Sequence, residues 1–135
     1  DFAGLSIPKE MQGKSFKKTF KEQNESNRKG VYYHYYEYPI WHKVQPHYGI
    51  RTHKYKLIHF YYSMDEWELY DLESDPNELN NIYDLADTNL ISNLKQKLDS
   101  LKILYNDTAT IEEMKLMTDT VIKRVYNEPA KDLKN

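Results

Sequence analysis

Hydrophobic and polar positions change their period twice along this chain of 135 residues. Before Lys29 no period is sustained. Ala3-Gly4-Leu5, Ile7-Pro8 and Met11-Gln12-Gly13 are short apolar words cut by Gly and Pro. Lys14–Lys29 is polar and predicts a loop or a frayed helix. From Val31 the pattern is that of strands. Val31–Tyr38 is dense in β-branched and aromatic residues, with Val31, Tyr33 and Tyr35 on one face and Tyr32, His34 and Tyr36 on the other. Aromatics on both faces predict a central strand covered on both sides rather than an edge. Pro39 ends it, because proline cannot donate to a ladder, and Ile40–Pro46 reads as a loop. His47–Arg51, Tyr55–Tyr62 and Trp67–Leu72 are three further strands at hairpin spacing. Asp75-Pro76-Asn77 is a turn: proline presets φ, and Asp or Asn bonds local backbone.

The second change comes near residue 88. Leu90, Ile91, Leu94, Leu98, Leu101 and Tyr105 recur at helical spacing, with Asp87 or Thr88 as N-cap. This predicts a helix over 88–105 that lays one apolar stripe on the sheet. Ile111, Met114, Met117, Val121 and Val125 form a weaker second stripe, and the tail after Asn127 reads as loose. The expected fold is α+β: a four-stranded antiparallel sheet packed by a long C-terminal helix. Residues 1–29 read as a connector, 30–105 as the sheet-plus-helix domain and 106–135 as a helical extension and tail. The chain opens on Asp1 rather than Met, and the connector is expected to pack on something upstream.

Composition narrows the chemistry. With no cysteine, this chain has no disulfide, thiolate zinc site or cysteine nucleophile. No apolar run approaches the ~18 residues that span a bilayer, so no membrane span is expected. The net charge of −2 conceals two unlike halves. Residues 1–60 hold eleven Lys and Arg against five Asp and Glu, and residues 61–135 hold eight against sixteen. A basic half draws anions, or it solvates loops and strand edges. Nucleic acid is not an expected partner, despite Lys56 and His59 among the aromatics of one strand, because the helical half is acidic.

The five histidines, His34, His42, His47, His53 and His59, form no helical HxxxH pair and no Cys joins them, so a metal site is not expected. There is no G-x-S-x-G elbow and no phosphate-cradling glycine loop. The best candidate cluster lies at Glu37–Arg51. A proline-bounded loop carries Trp41 and His42, and the next strand places His47, Gly49 and Arg51 on one face. Gly49 leaves a gap there. His47 and Arg51 beside a gap, with Trp41 near, suit a polar ring carrying negative charge. The competing reading gives Arg51 a structural salt bridge and His47 a packing hydrogen bond.

Several words together resemble the C-terminal region of bacterial sulfatases. They are Leu5-Ser6-Ile7-Pro8 with Met11–Phe16, Tyr32–Pro39, His47-Tyr48-Gly49-Ile50-Arg51-Thr52, Tyr55-Lys56-Leu57-Ile58, Glu68-Leu69-Tyr70-Asp71-Leu72 and Asp75-Pro76-Asn77-Glu78 with Asn81. Order and spacing are similar to the arylsulfatase and N-acetylglucosamine-6-sulfatase branch of the alkaline phosphatase superfamily, over roughly residues 1–105. The resemblance implies a parent that hydrolyses sulfate esters of sulfated carbohydrates. Its larger catalytic domain would hold a formylglycine, made from Cys or Ser in a C/S-x-P-x-R motif, and a calcium ion. No cofactor is expected in this chain. The nearest approach to the motif is Ser6-Ile7-Pro8-Lys9-Glu10, with Glu10 where Arg is required. The resemblance therefore implies a domain that packs on the parent's catalytic domain, is inactive alone, supplies rim residues to the substrate pocket, and works in the periplasm or outside the cell. His47 is its best candidate sugar contact, followed by Arg51, Trp41 and His42. The alternative is a non-enzymatic module that binds a glycan or a protein.

Overall fold

The computed structural model describes residues 2–11, 13, 15, 17, 20, 29–39 and 42–127. The predicted loop at Lys14–Lys29 lies mostly outside these residues, and the tail after Asn127 lies wholly outside them. Four strands, β1 (Val31–Tyr35), β2 (His47–Arg51), β3 (Tyr55–Phe60) and β4 (Glu66–Asp71), form an antiparallel meander in the order β1-β2-β3-β4. A 3-10 turn at Tyr83–Leu85 leads to α1 (Thr88–Leu104), and α2 (Ile111–Asn127) follows. The fold is α+β, as the change of period predicts. Among the described residues no helix is long and apolar enough to cross a membrane.

One strand position departs from expectation. β1 is the outer strand of the sheet and ends at Tyr35, rather than running centrally to Tyr38. Its two aromatic faces are covered without another strand. Tyr32 stacks on Tyr105 from the end of α1, at 6.2 Å. On the opposite face, Tyr33 and Tyr35 pack against the rings of β2's His47. Aromatic content on both faces therefore marks packing partners and does not by itself mark a central strand.

The helix-facing side of the sheet is built in two cross-strand rows. Tyr32, Ile50, Leu57 and Leu69 are register partners, as are His34, Tyr48, His59 and Trp67. Ile50, Leu57, Leu69, Leu94 and Leu98 are almost fully buried in one cluster, joined by Met114 of α2. Burial of each such side chain contributes about 2 kcal/mol. The second row is a line of rings, with His59 stacked on Trp67 at 4.1 Å and Trp67 stacked on Tyr83. Lys95 and Lys102 of α1 hold their ammonium groups over Trp67 and Tyr48 at 4.0 and 4.2 Å, a cation–π arrangement that also buries their stems.

The ends of the helices follow from local chemistry. The Asp87 carboxylate accepts the Asn89 and Leu90 N–H groups and starts α1. Asn106 takes a left-handed φ of 57°. The Asn106 and Asp107 N–H groups then donate back to the Ile103 and Lys102 carbonyls, the paired bonds of a Schellman stop. Thr110 and Glu113 cap α2 reciprocally. The outer edge of β4 is covered too. Leu69 donates to the Asn81 side chain, and Ile82 donates to the Leu69 carbonyl.

Candidate functional site

The sheet side away from the helices carries three of the predicted candidates, His47, Arg51 and His42. His47 opens β2 among three rings: Tyr35 stacked at 5.4 Å, Phe60 at 5.0 Å and Tyr33 edge-on at 6.1 Å. Its Nδ1 lies 2.8 Å from the Gln45 carbonyl. A carbonyl only accepts, so Nδ1 carries the proton and donates, and in the neutral ring Nε2 keeps a lone pair. The Gln45 side chain is in turn held by Ser63, whose hydroxyl donates to Oε1 at 2.8 Å. His42 meets the same shelf, 6.4 Å from the Tyr35 ring. Trp41 lies outside the described residues.

Arg51 is on the same face but not in the same cluster. Four residues along a strand separate it from His47 by about 13 Å. Its guanidinium donates to Glu78 Oε1 at 3.1 Å, and Lys56 pairs with the other oxygen of that carboxylate. Glu78 reaches both from the loop after β4, where its φ is 55°. Arg51 thus ties this loop across the sheet. Nor is the expected gap at Gly49 open. An added Cβ there would meet the Tyr33 hydroxyl at 2.5 Å, so Tyr33 occupies the space.

The other histidines are accounted for by packing. His53 is exposed in the turn between β2 and β3. His59 is buried: its Nε2 donates to Asp65 at 2.7 Å and its Nδ1 accepts from the Tyr48 hydroxyl at 2.8 Å. Burial pushes its pKa down, against the opposing pull of Asp65. His34 has the same economy. Its Nδ1 donates to Asp107 at 2.7 Å, and its Nε2 accepts from Tyr61 at 2.9 Å. Burial again lowers its pKa, outweighing Asp107. For Asp107 itself, burial acts to raise the pKa. Bonds from Tyr32 and His34 outweigh it and hold the carboxyl below its usual range.

Asp107 was invisible to sequence reasoning, since its partners lie more than seventy residues away. The one local signal is the Asn106-Asp107 pair at the helix stop. Glu78 and Gln45 were likewise missed as the groups that anchor Arg51 and orient His47.

Neither group that the resemblance to sulfatases implies, the formylglycine or the calcium ion, fits the residues of this chain. There is no Cys, Glu10 stands where the formylglycine motif needs Arg, and among the described residues no three His, Cys, Asp or Glu gather in a metal-holding group. What the His47 shelf can do is bind: an aromatic floor with one oriented imidazole suits a sugar face and its hydroxyls.

Comparison with known proteins gives these features a setting. The profile of the family described as N-sulphoglucosamine sulphohydrolase, C-terminal, matches residues 1–104. An N-acetylglucosamine-6-O-sulfatase of Bacteroides thetaiotaomicron is 46% identical over 111 residues, covering 79% of this chain and 20% of its own length. The chain thus spans about one fifth of that relative. The solved structure of BT4656 in complex with its substrate D-glucosamine-2-N,6-O-disulfate superposes with a TM-score of 0.76 at 44% identity, over 83% of this chain and 24% of that one. A crystal structure from Bacteroides thetaiotaomicron, described as that of a putative sulfatase, shares the fold with a TM-score of 0.62 at 24% identity, over 75% of this chain and 22% of its own.

Proposed function

This chain belongs to the N-sulphoglucosamine sulphohydrolase C-terminal family, and from that premise we propose that it serves a sulfatase acting on sulfated glucosamine. Its place is beside a catalytic domain that carries the formylglycine and the calcium ion. The observation that carries this reading is the similarity to the N-acetylglucosamine-6-O-sulfatase. The disulfated glucosamine held by the solved neighbour supports the same substrate class.

No step at sulfur is assigned to residues of this chain. Its part is to pack on the catalytic domain and to present His47 at the rim of the pocket. With Nδ1 committed to Gln45, Nε2, which has no partner among the described residues, hydrogen-bonds a sugar hydroxyl while the rings beside it face the sugar. His42 sits on the same shelf and is a secondary contact. Trp41 adjoins it in sequence and is held as a third. Arg51, bound to Glu78, supports the fold rather than the substrate. The periplasm or the cell exterior is the proposed compartment, because sulfated glycans are met there.

The test is a chimera in which this chain replaces the matching C-terminal region of the N-acetylglucosamine-6-O-sulfatase. A folded chimera that desulfates the 6-O-sulfate, while the 135-residue chain alone does not, supports the proposal. A folded but inactive chimera refutes it. Binding of sulfated oligosaccharides by the chain alone, with an inactive chimera, would instead identify a glycan-binding module.

A further inference from the structure

A hollow lies on the helix side of the sheet, opposite His47, between the edge strand β1 and α2. Its volume is about 550 Å³, within the range of small-molecule sites. Tyr32, His34, Tyr36, Tyr105, Asp107 and Met117 are among the residues that line it. It lies largely beyond the family match, because Asp107 and Met117 follow residue 104.

The floor is a polar network with one acceptor open to solvent. Asp107 Oδ2 accepts from both the Tyr32 hydroxyl and His34 Nδ1. His34 Nε2 is taken by Tyr61. Among the described residues nothing donates to Asp107 Oδ1. Asp107 is also the one charged side chain among the described lining residues, since burial keeps His34 neutral. Lys102, whose charge helps to hold the Asp107 carboxyl low, keeps its ammonium over the Tyr48 ring. The wall on the β1 side is aromatic, and the α2 side is lined by Met114, Met117 and Val121. Tyr36 is 68% exposed at the mouth and meets His34 edge-on at 5.0 Å, and Tyr105 stacks on Tyr32.

Each ligand class meets this arrangement differently. A sulfate or other anion would face a fixed carboxylate, and Lys102, the lysine whose charge acts on it, is already held over the Tyr48 ring. An apolar ligand would strip water from that carboxylate and return no hydrogen bond. An ammonium group replaces water at that oxygen with a charge-assisted donor, and the tyrosine faces favour it further. We propose that this hollow binds a small organic ammonium, with its N–H donating to Asp107 Oδ1 and its body against Tyr36 and Tyr105. An amino sugar and a linear diamine share that chemistry. The site is on the opposite side of the sheet from His47, so it stands or falls apart from the sulfatase reading.

The experiment is an NMR titration of the 135-residue chain at neutral pH with glucosamine, putrescine and N-acetylglucosamine. Saturable shifts at the Tyr36, Tyr105 and Asp107 amides are expected with an amine, and at least about ten-fold weaker binding with the neutral N-acetyl sugar, the loss of one charge-assisted bond. Saturation by glucosamine alone identifies a ring-bearing amine as the ligand, and saturation by putrescine alone a linear one. Asp107→Asn should abolish the response. Tyr36→Leu, at an exposed position that leaves the network intact, should weaken it several-fold with an unchanged fold. The proposal is overturned if neither amine gives saturable shifts up to about 50 mM, a range that reaches millimolar affinity. It is overturned equally if N-acetylglucosamine binds as well as glucosamine, or if the shifts map to the His47 face.

Discussion

The ring of Tyr33 fills the space that a side chain at Gly49 would need. The two residues are register partners across β1 and β2, and a Cβ on Gly49 would come within 2.5 Å of the Tyr33 hydroxyl. That hydroxyl is buried and has no partner among the described residues. Two opposite outcomes are expected. Gly49→Ala should destabilise by about 1–3 kcal/mol through overpacking, visible as a lower urea midpoint. Tyr33→Phe should be neutral or stabilise by up to about 1 kcal/mol, because it removes a buried polar atom that gains nothing. A clear loss of stability in Tyr33→Phe would mean that the hydroxyl has a partner in solution.

Arg51 and Glu78 give a second test. The guanidinium is 55% exposed, and pairs of this kind are worth at most about 1 kcal/mol. Arg51→Ala should therefore lower stability by less than about 1 kcal/mol, and the effect should shrink in high salt. In the active chimera it should leave kcat/KM within about two-fold. A drop of ten-fold or more would return Arg51 to the substrate site.

Much of this arrangement was legible in the sequence, and the parts that were not share a cause. Strand and helix periods place all four strands and α1 within a few residues, because local burial sets them. The face shared by His47, Gly49 and Arg51 follows from the two-residue period alone. What the period cannot say is what stands above a face. Tyr33 over Gly49, Glu78 on Arg51 and Asp107 on His34 are all contacts between distant segments. Each one changes the meaning of a residue that local reasoning had picked out. The edge position of β1 escaped for the same reason: Tyr105, the ring that covers Tyr32, caps the end of a helix and lies more than seventy residues on.

Stability should depend on pH through His34 and His59. Both have folded pKa values below the ordinary 6.5, first because of burial. The unfolded chain then binds more protons than the native one as pH falls through 6.5, so stability is full above that point and declines below it. Asp107 and Lys102 face His34, and Asp65, Lys95 and Lys102 face His59. The carboxylates oppose the shift without reversing it. Urea midpoints should fall between about pH 7.5 and about pH 5.5. His59→Gln should flatten that slope at the expense of overall stability. An unchanged midpoint across this range would show that neither ring resists protonation.

Residues beyond the family match contribute to the domain's stability. Asp107 holds Tyr32 and His34, Met114 is 4% exposed in the core, and Tyr62 donates to Asp119 at 2.6 Å. That last bond is the first cause that raises the Tyr62 pKa to about 12. A chain ended after Tyr105 loses all three. It should be less stable by roughly 3–5 kcal/mol, from the Met114 burial and the lost hydrogen bonds. Hydrogen exchange should rise first along β1. Equal stability would make α2 an appendage.

His47 carries the sharpest prediction about function. Because the Nδ1 N–H donates to the Gln45 carbonyl, the atom proposed to meet the sugar is Nε2, which in the neutral ring accepts a hydrogen bond from a hydroxyl. In the chimera, His47→Ala should lower kcat/KM by about 10- to 100-fold, the value of one or two lost hydrogen bonds to a bound sugar. Part of any loss could come from the packing of Tyr35 and Phe60 against the ring, so thermal stability must be read alongside. His47→Gln restores a side-chain acceptor and should recover part of the rate if hydrogen bonding is what matters. His42→Ala, further from the shelf's centre, should cost less. Near-wild-type kinetics in a stably folded His47→Ala chimera would remove His47 from the pocket and leave it as a packing residue of β2.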